Sequence, residues 1–213
     1  MSGDAWGWLG PFPVGFDLDM TLVDTRAASV CALRAAGSDL PEQLDLSRCL
    51  ASASALRAEL ARVMPLDRVN IALRDYAMAM REEALPLLRP MPGAVEVLTT
   101  IRRHGGRCVV VTGRRATTAA AVVAALGLPI DRLVGGASGP QKVPHLRREN
   151  IAVYVGDQPS DMRAAVVAGA RAIGVTTGFT PAAELAAAGA AAVLSDLSEM
   201  RLLAASLTAR SDR

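Results

Sequence analysis

The stretch Val14-Gly15-Phe16-Asp17-Leu18-Asp19-Met20-Thr21-Leu22-Val23-Asp24 decides how the chain is read. Val14 to Asp17 has the look of a short apolar strand that ends in an acid. Asp19 follows two residues later and the hydroxyl of Thr21 two after that. Open α/β sheets place ligands beyond the carboxyl ends of their strands. Two carboxylates and a hydroxyl there can supply a nucleophile, an acid–base group and an anion-binding group. Taken singly, each aspartate could equally cap a tight turn. Three acids around Thr21, directly after an apolar run, favour chemistry.

Working outward, five more short apolar runs end in Gly, Asp or Thr. They are Cys108–Val111, Asp131–Gly135 (with Leu133-Val134), Ile151–Val155, Ala172–Val175 and Ala192–Leu194. The runs are continuous rather than alternating, as expected for strands buried on both faces of a parallel sheet. Helical stretches lie between them: Gly93–His104, Ala116–Leu126, Ser160–Ala168 and Pro181–Ala188, with Ser198–Leu207 closing the chain. Gly or Pro marks most of their ends. This βαβ alternation predicts an α/β fold, a doubly wound, Rossmann-like parallel sheet. Residues 25–90 break the rhythm. They contain no convincing strand and read as helices over Arg26–Ala36, Ser52–Met64 and Asp67–Leu85. The expected organisation is a core of residues 1–24 and 91–213 with an inserted all-α cap over 25–90.

Composition narrows the function. The chain has 213 residues and a formal net charge of +2, which gives no footprint for nucleic acid. The longest uncharged stretch in the body, Ala116–Ile130, carries Thr117, Thr118, Gly127 and Pro129, so no membrane span is expected. The first arginine is Arg26, which argues against a secretory leader. The scattered cysteines Cys31, Cys49 and Cys108 suit a reducing compartment, so a cytoplasmic protein is expected. His104 and His145 share no metal-ligand spacing with them. Arginine occurs 22 times and lysine once, at Lys142. In a chain so biased, a single lysine marks a place where a compact ammonium is wanted rather than a planar fork.

Three more strand ends carry chemistry-bearing residues. The Cys108 run leads into Thr112-Gly113-Arg114, where a hydroxyl and a glycine amide can hold a phosphoryl oxygen. The Ile151 run leads into Gly156-Asp157-Gln158-Pro159-Ser160-Asp161, and such oxygen ligands suit Mg²⁺. Lys142 lies between the third and fourth strands.

Together these sites resemble the haloacid dehalogenase (HAD) superfamily of phosphotransfer enzymes. Asp17-Leu18-Asp19-Met20-Thr21 looks like motif I, Thr112 like motif II, Lys142 like motif III, and Asp157 with Asp161 like motif IV. The insert after motif I resembles the helical cap of the branch that holds phosphoglycolate phosphatase and β-phosphoglucomutase. Gly174-Val175-Thr176-Thr177-Gly178-Phe179 also resembles phosphoglycolate-phosphatase-like members. Three features depart from the pattern. Met20 stands where the family usually has Gly, Val143 replaces a proline, and only 15 positions separate Lys142 from Asp157.

The resemblance implies a Mg²⁺-dependent phosphatase acting on a small phosphorylated metabolite, as a monomer or homodimer. Asp17 would be the nucleophile and Asp19 the acid–base group. Asp17, the Asp19 carbonyl, Asp157 and, in part, Asp161 would hold the metal. Thr112, Gly113 and Lys142 would bind the phosphoryl oxygens, with Thr21, Arg114 and Arg26 as further substrate contacts. A cap without lysine disfavours Schiff-base phosphonatase chemistry. A phosphomutase, a haloacid dehalogenase and an inactive phospho-ligand-binding relative remain as alternatives. A response-regulator receiver is disfavoured, because it is shorter and lacks a helical insert.

Overall fold

Strand β1 (Pro13–Phe16) owes its place to Val14 and Phe16, both fully buried. The computed structural model describes residues 11–36, 49, 53–82 and 84–203. Two very short strands, β2 (Val23–Asp24) and β3 (Arg89–Pro90), form a sheet of their own. The remaining five strands join β1: β4 (Arg107–Thr112), β5 (Arg132–Gly135), β6 (Val153–Gly156), β7 (Arg171–Val175) and β8 (Ala192–Leu194). Their order is β5-β4-β1-β6-β7-β8, and every pairing is parallel. Each of the six apolar runs singled out in the sequence is a strand of this sheet. The order reverses between β4 and β6, with β1 at the centre. A doubly wound sheet opens its ligand crevice at such a point, so Asp17 stands at the switch.

The apolar runs are continuous because helices cover both faces. In β4 the four residues Cys108–Val111 are all fully buried. Burying a side chain of that size contributes about 1.5–3 kcal/mol. On one face, Val109, Val111, Val134, Leu146, Tyr154, Met162 and Leu185 form one cluster. Among the described residues, this core holds the α-helices Ala94–Arg103, Ala116–Ala125, Lys142–Arg148, Pro159–Ala168 and Ala182–Ala187. A 3₁₀ segment, Leu197–Leu202, opens the stretch expected as a closing α-helix, and Leu203 directly after it is α-helical. Asp196 caps it by accepting from the Ser198 amide, and residues 204–207 of that expectation lie outside the described residues.

The chain divides into two units, Met1–Val23 with Pro90–Arg213, and Asp24–Arg89. Among the described residues the second holds helices α1 (Arg26–Ala36), α2 (Ala53–Val63) and α3 (Leu66–Glu82), and the core helices above are numbered α4 to α8 in chain order. Ser52 of the sequence reading lies outside the described residues. Leu33, Cys49, Leu56, Leu60, Val69 and Ala72 make the small core of this unit. The Tyr76 hydroxyl donates to Ser29 Oγ at 3.1 Å and ties α3 to α1.

Candidate active site

The end of β1, strand β6 and the first turn of α7 converge on one ammonium. Lys142, the first residue of α6, is 3% exposed, and its Nζ donates to three oxygens. They are Asp161 Oδ1 at 2.6 Å, Asp17 Oδ1 at 2.7 Å and the Tyr154 hydroxyl at 2.9 Å. An ammonium has three N–H donors, so all three are engaged. The three acceptors come from β1, β6 and the first turn of α7.

Burial on this scale dominates the electrostatics. It pushes the Asp17 carboxyl up to about 7, with Lys142 opposing the shift and Asp161 and Asp19 adding to it. Burial also drives Asp157 well above the ordinary carboxylate range, and the charges of Asp17 and Asp161 add to the effect. For Lys142 burial works the other way. Asp17, Tyr154 and Asp161 outweigh it and hold the ammonium well above the usual lysine value.

Asp17, Asp157 and Asp161 each bring an oxygen within 4.8 Å of the others. Asp157 accepts from the Thr21 hydroxyl at 3.4 Å, so Thr21 is turned towards a carboxylate of the cluster. Asp161 Oδ2 accepts from the Gln158 amide at 3.3 Å in a capping box at the start of α7. Gly178, in the loop after β7, stands so close that any β-carbon there would run into the Asp157 carboxylate. In the same loop, Thr177 Oγ1 donates to the Met20 carbonyl at 2.5 Å. Met20 itself has φ +62°, the left-handed region in which glycine is at ease. This conformation is the physical reason for a glycine at that position of the motif.

Thr112 ends β4 and is 1% exposed, and its Oγ1 accepts from the Arg114 amide at 3.1 Å. Gly113 has Ser138 Oγ where a β-carbon would stand, which brings the loop before Lys142 close to Thr112. Arg114 turns to Asp19. Its Nη2 lies 2.5 Å from Oδ1, and its Nε lies 3.1 Å from both carboxylate oxygens.

Of the residues singled out in the sequence, Asp17, Asp157, Asp161, Lys142 and Thr21 gather in one cluster: Lys142 bonds to Asp17 and Asp161, Thr21 bonds to Asp157, and the three carboxylates lie within 4.8 Å of one another. Asp19, Thr112 and Arg114 form a second group linked through Arg114, at the ends of β1 and β4. Arg26 belongs to the helical unit, where its Nε and Nη2 fork the Asp24 carboxylate at 2.9 and 2.5 Å. The sequence reading passed over Tyr154, which was hidden inside an apolar run, and gave no role to Thr177 or Gly178. The resemblance of the Gly174–Phe179 stretch was the only pointer to the latter two.

Known proteins resemble this chain over most of its length. A curated relative named "Probable phosphatase IndB", from Dickeya dadantii (strain 3937), is 31% identical over 206 residues, 87% of this chain and 90% of the relative. A phosphoglycolate phosphatase of Haemophilus influenzae (strain 86-028NP) is 26% identical over 192 residues, 78% of this chain and 86% of that protein. Among solved structures, a haloacid dehalogenase-like family hydrolase from Streptococcus pneumoniae superimposes with a TM-score of 0.76 at 18% identity. That match covers 90% of this chain and 97% of the other, and it speaks for the fold. Residues 14–175, which run from β1 through β7 and carry every site residue described above except Thr177 and Gly178, match one family, and the chain belongs to the haloacid dehalogenase-like hydrolases.

Proposed function

We propose that this protein is a Mg²⁺-dependent phosphatase that hydrolyses a small phosphate monoester through an aspartyl-phosphate on Asp17. The observation that carries the reading is the buried Lys142 ammonium shared between Asp17 and Asp161, with Asp157 beside them at the strand ends. Relatives named phosphatase and phosphoglycolate phosphatase support it.

The acids fit a hard divalent cation. Three buried carboxylates this close repel one another, and burial has already pushed two of them towards the neutral form. Asp161 has both oxygens engaged, by Lys142 and by the Gln158 amide. That leaves Asp17 and Asp157, with the Asp19 carbonyl, as the main ligands, and Asp161 as a support. Bound there, Mg²⁺ would neutralise the acids and polarise a phosphoryl oxygen.

The residues of the chain do the rest. The Asp17 carboxylate attacks phosphorus, a new P–O bond forms, and the bond to the leaving oxygen breaks. Asp19 gives that oxygen a proton, then takes one from the water that cleaves the acyl phosphate. Once phosphorylated, the Asp17 carboxyl no longer bears the charge that holds Lys142. One ammonium N–H can then turn to a phosphoryl oxygen, beside the Thr112 hydroxyl and the Gly113 amide. Arg26 would have to leave Asp24 before it could meet an anion. We read the partner as a small phosphorylated metabolite, without nucleic acid or membrane, in the cytoplasm. Among the described residues no helix is long and apolar enough to cross a membrane.

The test is hydrolysis of p-nitrophenyl phosphate and a panel of phosphate esters, 2-phosphoglycolate included, with Mg²⁺ and with a chelator. Metal-dependent turnover that is lost in Asp17→Asn is the expected result. No turnover by the wild type across the panel sinks the phosphatase reading, and activity that survives in Asp17→Asn sinks the nucleophile.

A further inference from the structure

Tyr154 is fully buried in the middle of β6, inside a run of valines. A buried tyrosine must find partners for its hydroxyl. This one has two. It donates to the Val111 carbonyl of β4 at 2.7 Å and accepts from Lys142 Nζ at 2.9 Å.

β1 lies between β6 and β4, so the ring has to cross β1 to reach Val111. It can do so because of Gly15. A β-carbon at that position would sit 2.7 Å from Tyr154 Cδ2 and 3.0 Å from Ile151 Cγ2, closer than carbon atoms pack. Gly15 pairs directly with Tyr154 in the β1–β6 register. A glycine in the central strand of a buried sheet weakens that strand and often marks a close approach. Here the approach delivers a phenol to the only lysine in the chain.

We infer that Tyr154 is a positioning residue for Lys142, and that Gly15 is present to admit its ring. The phenol fixes the third N–H of the ammonium. The other two then point at Asp17 and Asp161 rather than sharing three directions between two acids. The Val111 carbonyl orients the phenol in turn, because a hydroxyl that donates to Val111 must present its lone pairs to Lys142. The catalytic consequence rests on the phosphatase reading of Lys142, whereas the positioning itself does not.

The single lysine makes the inference directly measurable. Selective ¹⁵N-lysine labelling places one side-chain nitrogen in the NMR spectrum, that of Lys142. In the metal-free wild type its ammonium protons should be protected from exchange with water. In Tyr154→Phe, which keeps the ring, the resonance should shift and exchange should quicken several-fold. Gly15→Ala, which displaces the ring, should give the same signature. An unchanged Lys142 resonance in Tyr154→Phe overturns the inference.

Kinetics supply the second arm. Tyr154→Phe should lower kcat by about tenfold, the size of one hydrogen bond to a charged group, with KM held within about twofold. In the Lys142→Ala background the same change should cost less than about twofold, because a group that acts through Lys142 has nothing left to act on. Equal losses in both backgrounds, or wild-type kcat in Tyr154→Phe, overturn the positioning role. A wild type that turns over no ester sinks the phosphatase reading instead, and the Lys142 resonance still decides the contact.

Discussion

The guanidinium of Arg114 forks the carboxylate of Asp19. Nε reaches both oxygens at 3.1 Å, and Nη2 reaches Oδ1 at 2.5 Å. The Arg114 side chain is 13% exposed and that of Asp19 is 32% exposed, so the pair is only partly screened by water. The residue two after Thr112 therefore sets the plane of the proposed acid–base group, where the sequence suggested a contact to substrate.

Arg114→Ala should be most costly where a leaving group needs a proton. For an alkyl phosphate, kcat should fall by about a hundredfold, the lower range of what a positioned acid contributes. For p-nitrophenyl phosphate, whose leaving group departs without help, the loss should stay within about threefold. Steady-state kinetics on both esters decide it. Equal losses on both would return Arg114 to a plain substrate contact.

Metal and pH should be linked through the buried acids. A carboxyl whose folded value is raised binds its proton more tightly in the folded protein. Stability therefore falls as pH rises from the unfolded value, 3.8, through about 7 for Asp17, with Asp157 shifted in the same direction. The metal-free protein should lose thermal stability between pH 5 and pH 7.5, and Mg²⁺ should restore it at pH 7.5 but not at pH 5. Asp157→Asn should raise the metal-free Tm at pH 7.5, by about 2–4 °C for each kcal/mol relieved, and abolish the Mg²⁺ shift. Melting curves over pH, with and without Mg²⁺, check this. A Mg²⁺ shift retained in Asp157→Asn removes Asp157 from the metal site.

The sequence made the sheet readable because buried parallel strands leave uninterrupted apolar runs, and each of the six runs became a strand. Lys142 was readable for a different reason, its isolation among 22 arginines. Side-chain direction was not readable. Thr21 and Asp157 lie 136 residues apart, and Arg114 and Asp19 lie 95 apart, so only the folded sheet says which carboxylate each partner meets. Tyr154 escaped for the opposite reason to Lys142, since a tyrosine among valines satisfies the strand pattern and gives no sign that its hydroxyl has work. In the closing segment, helix-forming composition does not distinguish an α-helix from the 3₁₀ segment capped by Asp196, which runs to Leu202 before the α-helical Leu203.

Met20 sets two effects against each other. At φ +62° a non-glycine residue costs about 1–2 kcal/mol, which Met20→Gly would recover. The Met20 side chain, however, is 4% exposed, and emptying a buried site of this size costs about 2–5 kcal/mol. The cavity outweighs the strain, so Met20→Gly should destabilise the protein by about 1–3 kcal/mol by urea titration. A more stable variant would mean that the left-handed turn, not the side chain, dominates at this position.

Gly178 should prove as sensitive as a ligand although it offers no side chain. A β-carbon there would overlap the Asp157 carboxylate, so Gly178→Ala must move either the loop after β7 or Asp157 itself. The loop is not free to retreat, because Thr177 beside it donates to the Met20 carbonyl between Asp19 and Thr21. Asp157 should therefore yield. The Mg²⁺ concentration for half-maximal activity should rise by about tenfold or more, the scale on which groups supporting a metal ligand act. Thr177→Val, which frees the loop, should soften the effect when combined with Gly178→Ala, because the loop can then give way in place of the carboxylate. Mg²⁺ titrations of the single and double variants measure both. An unchanged Mg²⁺ requirement in Gly178→Ala would show that the loop, and not Asp157, absorbs the added methyl.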